Sequence, residues 1–262
     1  MLEINSVHHT EIEECNIFGN GVCHINGMVV FVKDALPREK CSVKITRAFP
    51  SYAYAEKTDN ASFSEDRVLP CCDAYEACGG CCFLHTTLEN ENDIKRKYVL
   101  STMKKRGIEI DVEGTICQAK EKYRNKVVLF VENNQYGYMQ GGTNKIVPHV
   151  ACKLNDDVFD QIASFTVKEL SGSSLRAIYM RKSSQKTPEI MVCPIFYKQT
   201  DLFSYASSLI SHFPNVKTIL YSVYNDKDFA PVFYKPEDIL YQEFGKGQWG
   251  GTGHRICSTV FD

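Results

Sequence analysis

Cys71-Cys72-Asp73-Ala74-Tyr75-Glu76-Ala77-Cys78-Gly79-Gly80-Cys81-Cys82 sets five of the chain's twelve cysteines within twelve residues. Thiols at that density belong to a metal centre or to a disulfide cluster, and the redox compartment separates the two. The N-terminus carries no basic-then-apolar leader, since Glu11, Glu13 and Glu14 stand where the apolar part would lie. A cytoplasmic protein in a reducing environment is therefore expected, and with it a metal rather than disulfides.

Ligand spacing narrows the choice of metal. Cys72, Cys78 and Cys81 form C-x5-C-x2-C, and Gly79-Gly80 frees the backbone to fold tightly so that the thiolates can converge. Structural zinc usually takes two CxxC-like knuckles, whereas three clustered cysteines with one distant partner commonly hold a cubane iron–sulfur cluster. The distant candidates are Cys15, Cys23, Cys41, Cys117, Cys152, Cys193 and Cys257. Spacing alone does not choose among them.

Upstream of the cysteines the chain reads as all-β. His24-Ile25-Asn26-Gly27-Met28-Val29-Val30-Phe31-Val32 places an Asn-Gly turn between apolar runs, and Cys41 to Ala48 alternates with period two. Five or so short strands of this kind make a small barrel. Its outer face offers Lys44, Arg47, Tyr52 and Tyr54, either as backbone contacts and stacking surfaces for RNA or as an ordinary solvated surface. Asp59 to Glu65 is polar and reads as a linker, so domains are expected at residues 1–61 and 62–262.

Downstream, Thr86-Thr87-Leu88-Glu89 has capping-box spacing, and a helix is expected from about Thr87 to Arg106, stopped by Gly107. Lys104, Lys105 and Arg106 suit the negative end of its dipole. The net charge of −2 gives no overall attraction to nucleic acid, so any RNA site must be a local patch. Residues 94–126 hold ten Lys or Arg against four acids and end in Tyr123-Arg124-Asn125-Lys126. They are the best candidate for phosphate contact, with a solvated helix as the competing reading. Val127 to Val131, Asn133-Asn134 and Gln135 to Met139 read as strand, turn and strand, followed by a helix capped by Asn155. Leu175 to Met180, Glu189 to Tyr197 and Val216 to Tyr224 read as further strands, with a helix across Leu202 to Phe213. The expected class is α+β, a small barrel followed by an antiparallel sheet with helices on it.

The cysteine run and its surroundings resemble a known family. Arg67-Val68-Leu69-Pro70-Cys71-Cys72, Cys78-Gly79-Gly80-Cys81 and His85 are similar to the cluster motif of the uracil-5-methyltransferases of tRNA and 23S rRNA, in which a TRAM domain precedes a 4Fe-4S domain. Gly19-Asn20-Gly21-Val22 and Met28 to Pro37 resemble the TRAM pattern, and Tyr123 to Lys126 and Ile146 to Cys152 resemble later family blocks. The resemblance implies a TRAM domain over residues 1–61 and a 4Fe-4S cluster on Cys72, Cys78, Cys81 and Cys152. It implies RNA as partner, 23S rRNA foremost, with contacts from Lys44, Arg47, Tyr52, Lys104, Lys105, Arg106, Tyr123, Arg124 and Lys126. No membrane partner is expected, since no apolar run approaches the roughly twenty residues a span needs, and a monomer is expected.

In that family S-adenosylmethionine and the catalytic groups belong to a C-terminal Rossmann-like domain, which would begin where this sequence stops. The chain alone is therefore expected to be inactive in methyl transfer, with no catalytic residue of its own. Gly245-Lys246-Gly247-Gln248-Trp249-Gly250 matches G-x-G-x-x-G without a βαβ frame and reads as a loop. Cys193 and Cys257 lack what a nucleophile needs. Two further readings stay open: an electron-transfer iron–sulfur protein, and a zinc-holding RNA-binding module with His85 or Cys82 as a ligand.

Overall fold

Asn26 and Gly27 take left-handed conformations, φ 52° and 77°, and so close the hairpin between β3 (Gly21–Ile25) and β4 (Met28–Val32). Two consecutive positive φ values are what a two-residue turn matched to strand twist requires, which is why Asn-Gly marks it. In this computed structural model, residues 2–117, 120–148, 151–184, 186–224 and 230–234 are described, the last five as backbone only. Two units divide the chain: Met1–Tyr75 with Cys81–Gln118, and Glu76–Gly80 with Ala119–Asp262.

The first unit contains a six-stranded sheet in the order β1-β5-β6-β4-β3-β2. Its other strands are β1 (Val7–Glu11), β2 (Glu14–Cys15), β5 (Lys40–Ala48) and β6 (Tyr52–Asn60). The two edge strands, β1 and β2, are pieces of one bent segment. At the bend Ile12 N–H donates to Glu39 C=O and Glu13 N–H to Val22 C=O, both at 2.9 Å, so the segment bonds to both ends of the sheet. Val30, Val32, Val43, Ile45, Ala53 and Ala55 point inward to a common core, and period-two alternation sends Phe31, Tyr52 and Tyr54 the other way. Arg47 shares the parity of Val43 and Ile45 but is exposed because the register with β6 shifts between Ile45 and Arg47. Asp59 and Asn60 lie at the end of β6 rather than in a linker, and the Asp59 carboxylate accepts from Ser42 N–H at 2.9 Å.

Helix α1 (Leu88–Lys105) follows the cysteine run. Thr87 is its N-cap, its hydroxyl accepting from Asn90 N–H at 3.3 Å, one residue later than the expected capping box. Gly107 ends it at φ 73°.

The second unit carries a seven-stranded sheet in the order β13-β12-β11-β10-β7-β8-β9. The strands are β7 (Lys126–Glu132), β8 (Gln135–Met139), β9 (Ile146–Pro148), β10 (Leu175–Lys182), β11 (Ile190–Phe196), β12 (Val216–Val223) and β13 (Ala230–Tyr234). Asn133 and Asn134, at φ 52° and 58°, make the β7–β8 turn. Helices α2 (Asp157–Glu169) and α3 (Phe203–His212) bury Phe159, Ile162, Tyr205 and Leu209 against Ile178, Val192 and Ile219. Full burial of a residue of this size stabilises by about 1.5–3 kcal/mol, which outweighs the modest helix propensity of the aromatic and β-branched positions. The α+β class holds, but the sheet is mixed rather than antiparallel. β11 and β12 run parallel because α3 carries the chain back across the sheet, and β4 pairs β6 in parallel in the first unit. The N-cap of α2 is Asp156, which accepts from Val158 N–H. Asn155 is buried instead, accepting from Tyr138 Oη at 2.8 Å. The G-x-G-x-x-G stretch at 245–250 and Cys257 lie outside the described residues.

Candidate functional site

On the outer face of the first unit, four aromatic rings converge. Tyr52 stacks on Phe49 with centroids 4.7 Å apart and planes at 22°, Tyr54 stands edge-on to Tyr52 at 5.8 Å, and Phe31 lies 5.5 Å from Tyr54. The exposed Arg47 holds its guanidinium 4.8 Å from the Tyr54 centroid. Parallel pairing of β4 with β6 sets Phe31 opposite Tyr54, which is why rings distant in sequence meet. The result is a half-exposed π surface with a cation at its edge, suited to stacking unpaired bases. Tyr52, Tyr54 and Arg47 were legible in the sequence. Phe31 and Phe49 were missed, although Phe31 shares the outward parity of its strand. Lys44 lies exposed on β5 opposite Glu56.

The chain on either side of the cysteines is tied down within the first unit. Glu39, fully buried, receives Arg67 through both Nε and Nη2 and Lys57 Nζ at 3.3 Å, while Arg67 Nη2 also donates to Asp34 C=O at 2.7 Å. Burial works against the Glu39 carboxylate, but the Arg67 and Leu36 hydrogen bonds and the Lys57 charge hold its pKa below the ordinary value. Tyr75 Oη donates to Asp34 Oδ1 at 2.8 Å and sits 2.7 Å from His85 Nδ1. Burial pushes His85 down to about 4 against the pull of Asp34, so the ring is neutral, Nδ1–H donates to Tyr75, and Nε2 keeps a buried lone pair. Gly19, at φ 75°, lies so close to the Cys82 backbone that a Cβ would stand 1.9 Å from its carbonyl oxygen.

Within the second unit the middle of the cysteine run is fixed against the β8–β9 hairpin. Gly79 N–H donates to Met139 C=O at 3.0 Å, and Cys78 forms an isolated bridge with Gln140. Arg124 Nη2 donates to Gly80 C=O at 2.8 Å, and its guanidinium lies 5.4 Å from the Tyr138 centroid. Burial, with the Cys152 thiol as the next contributor, pushes the Tyr138 phenol up to about 12. Gly80 N–H points at Cys78 Sγ at 3.4 Å. Gly79, Gly141 and Thr143 border an open pocket of about 380 Å³.

The four expected metal ligands are thus divided, Cys72 and Cys81 counting with the first unit and Cys78 and Cys152 with the second. All four are half-buried. Among the described residues no three His, Cys, Asp or Glu side chains converge as a metal-holding group. Cys193 is buried in β11, and Cys117 is exposed. The basic window is divided as well. Lys95 and Lys97 pair with Glu91 and Asp93 one helical turn back, Arg96 Nε donates to Val112 C=O, and Lys122 pairs with Asp157. Lys104 and Lys105 stand exposed in the last turn of α1 with Arg106 as its C-cap. Tyr123 is exposed, and Lys126 begins β7 opposite Arg181. No described helix is long and apolar enough to cross a membrane.

No family model matches the chain. By sequence it is similar to an uncharacterized RNA methyltransferase of Listeria monocytogenes serotype 4b, 31% identical over 166 residues that make up 61% of this chain and 37% of the relative. Uncharacterized RNA methyltransferases of Clostridium acetobutylicum, 27% identical over 248 residues, and of Oceanobacillus iheyensis, 26% over 263, match 85% and 91% of this chain and 53% and 56% of their own length. The chain spans about half the length of these curated relatives, or less. Its fold is similar to that of the Pyrococcus abyssi tRNA (uracil-54, C5)-methyltransferase solved with S-adenosyl-L-homocysteine. The TM-score is 0.62 at 18% identity, over 96% of this chain and 63% of that one.

Proposed function

We propose that the chain, similar in sequence to RNA methyltransferases and in fold to a tRNA uracil-5-methyltransferase, supplies the RNA-recognising and iron–sulfur part of an S-adenosylmethionine-dependent RNA (uracil-5-)-methyltransferase. The substrate is a structured RNA, with 23S rRNA and tRNA as the two classes. S-adenosylmethionine supplies the methyl group, and this chain's described residues supply the grip on the nucleic acid.

The observation that carries this reading is the aromatic platform of Phe49, Tyr52, Tyr54 and Phe31 with Arg47 at its rim. Uracil-5 chemistry requires the target base to leave its stack, and unstacked neighbouring bases need surfaces to rest on. Residues 1–61 act as the TRAM-like barrel, with Lys44 and Arg47 toward phosphates. Lys104, Lys105 and Arg106 form a second cationic group at the end of α1, and Tyr123 and Lys126 contribute from the second unit. Arg124 positions the cysteine run through Gly80.

The donor set suits a 4Fe-4S cluster in kind. Cys72, Cys78, Cys81 and Cys152 are thiols at half-buried positions, and Gly80 N–H is directed at a ligand sulfur, an interaction that tunes such clusters. When bound, the cluster supplies a covalent staple between the cysteine run and the segment after β9. The protein residues meanwhile fix the run, Tyr75 and His85 within the first unit and Met139 and Arg124 within the second.

Fluorescence anisotropy with a labelled uridine-containing RNA hairpin tests the reading. Binding is expected to weaken about tenfold in Tyr52→Ala, in line with roughly 1–3 kcal/mol for one stacked base. Equal affinity of wild type and Tyr52→Ala, or no binding by the wild-type chain, would overturn it.

A further inference from the structure

At the far end of the second unit's sheet, Arg176 stands where the ladder breaks. Leu175 pairs with Phe196 and Ala177 with Ile195, which leaves Arg176 as an extra residue with no partner on β11. Bulges of this kind re-aim a side chain. The re-aimed guanidinium lies 3.6 Å from the Tyr224 centroid, 5.8 Å from Tyr197 and 5.9 Å from Phe130. Tyr197 and Tyr224 meet edge to face at 5.8 Å and are 58% and 44% exposed. The four residues come from the ends of β7, β10, β11 and β12, held together by Tyr197 N–H donating to Ser174 C=O and Tyr224 N–H to Phe196 C=O. Tyr197 and Tyr224 follow directly on the parallel pair β11 and β12, at the carboxyl ends where open α/β sheets take their ligands.

A structural role alone does not account for this arrangement. Among the described residues Arg176 forms no ion pair, and its guanidinium packs against rings, which do not use its N–H donors. Both tyrosine rings leave about half of their surface open to solvent. A planar cation flanked by exposed aromatic rings has both things a single strand requires of a protein: a stacking surface for a base and fork-like donors for the phosphate beside it. An acidic protein partner would satisfy the charge but would leave the stacking geometry without a purpose.

We propose that Arg176, Tyr197 and Tyr224 form a second single-stranded RNA subsite on the second unit, in which a base stacks on the tyrosine pair and its phosphate takes the Arg176 guanidinium. This inference rests on the RNA-binding reading of the chain and adds a grip that reading does not include. With one such surface on each unit, the chain offers two separate places for unpaired RNA.

The test is titration of a fluorescein-labelled oligouridylate with the full chain, in parallel for wild type, Tyr52→Ala, Arg176→Ala, Arg176→Lys and Tyr224→Ala, with thermal melts for each. Arg176→Ala and Tyr224→Ala are expected to weaken binding about tenfold without changing the melt. Arg176→Ala is also expected to lower the slope of log K against log salt by about 0.7, the value for one phosphate on a single strand. Arg176→Lys should keep the slope and still lose affinity, since an ammonium ion does not stack. Weakening by Tyr52→Ala with unchanged binding in the Arg176 and Tyr224 variants overturns this subsite and leaves the proposed function standing. Failure of the wild-type chain to bind overturns both.

Discussion

Replacing Gly79 with alanine probes how firmly the cysteine run is seated on the second unit. A Cβ built at Gly79 would lie 2.8 Å from Gly141 Cα, 2.9 Å from Gly141 N and 3.2 Å from Met139 O. Non-bonded carbons settle near 3.5–4.0 Å apart, roughly, so the methyl group intrudes by roughly 0.7 Å or more on backbone atoms that cannot rotate away. Overpacking of that kind costs about 1–3 kcal/mol. Relief by lifting the run would break the Gly79 N–H to Met139 C=O hydrogen bond, worth about 1 kcal/mol. The expected loss is about 3 kcal/mol, or about 6–12 °C in Tm for a unit of this size. Gly80 is the internal control. Its added Cβ would meet Cys78 Sγ at 3.4 Å and the Arg124 guanidinium at 3.9 Å, which is ordinary van der Waals contact. Gly80→Ala should therefore melt within about 0.5 kcal/mol of wild type. The assay is a thermal melt of both variants with amide exchange read at residue 79. If the two variants melt together, the reasoning from backbone proximity at Gly79 is wrong.

Three further outcomes follow from the same geometry. His85 is held neutral with its pKa lowered to about 4, chiefly by burial. The unfolded chain protonates at about 6.5, so stability is complete above about pH 6.5 and falls by about 2–3 kcal/mol as pH drops toward about 4. Urea midpoints across that range should show the slope, and His85→Gln should flatten it; an unchanged slope in the variant would refute the assignment. Glu39, whose pKa is lowered from 4.5, adds its own loss only at pH below that value. Charge removal in Lys104→Ala, Lys105→Ala, Arg106→Ala is expected to weaken RNA binding and reduce its salt slope by about 0.7 for each phosphate that the chain no longer neutralises. A slope equal to wild type would return those residues to a helix-capping role. Cys152→Ser should bleach the visible chromophore of anaerobically purified protein while Cys117→Ser leaves it intact, and the reverse pattern would move the fourth ligand.

Local chemistry made much of this fold legible. Asn26-Gly27 and Asn133-Asn134 announced hairpins because few residues tolerate positive φ, and the structure places all four there. Helix ends were readable to within one residue, and the errors have a cause. Thr86 and Thr87 are adjacent, as are Asn155 and Asp156, and in each pair the residue that does not cap the helix is engaged by a tertiary hydrogen bond. Thr86 Oγ1 donates to Asp66 C=O, and Asn155 accepts from Tyr138. The parallel pairing of β11 with β12 was not legible, because it depends on where α3 returns the chain. The same holds for the functional surfaces. Tyr52 and Tyr54 advertise themselves by parity on one strand, but Phe31 joins them only through parallel pairing. The bulge at Arg176 is a register event between two strands that no local pattern encodes. The cysteine run drew attention by density, whereas Glu39 and Gly141, which help to seat it, are ordinary residues until the strands are assembled.

The most direct measurement is the iron, sulfide and zinc content of the chain purified without oxygen, with its visible absorption spectrum. About four irons and four sulfides per chain are expected, as a 4Fe-4S cluster requires, lost together in Cys72→Ser. Stoichiometric zinc with no visible band would contradict the iron–sulfur assignment.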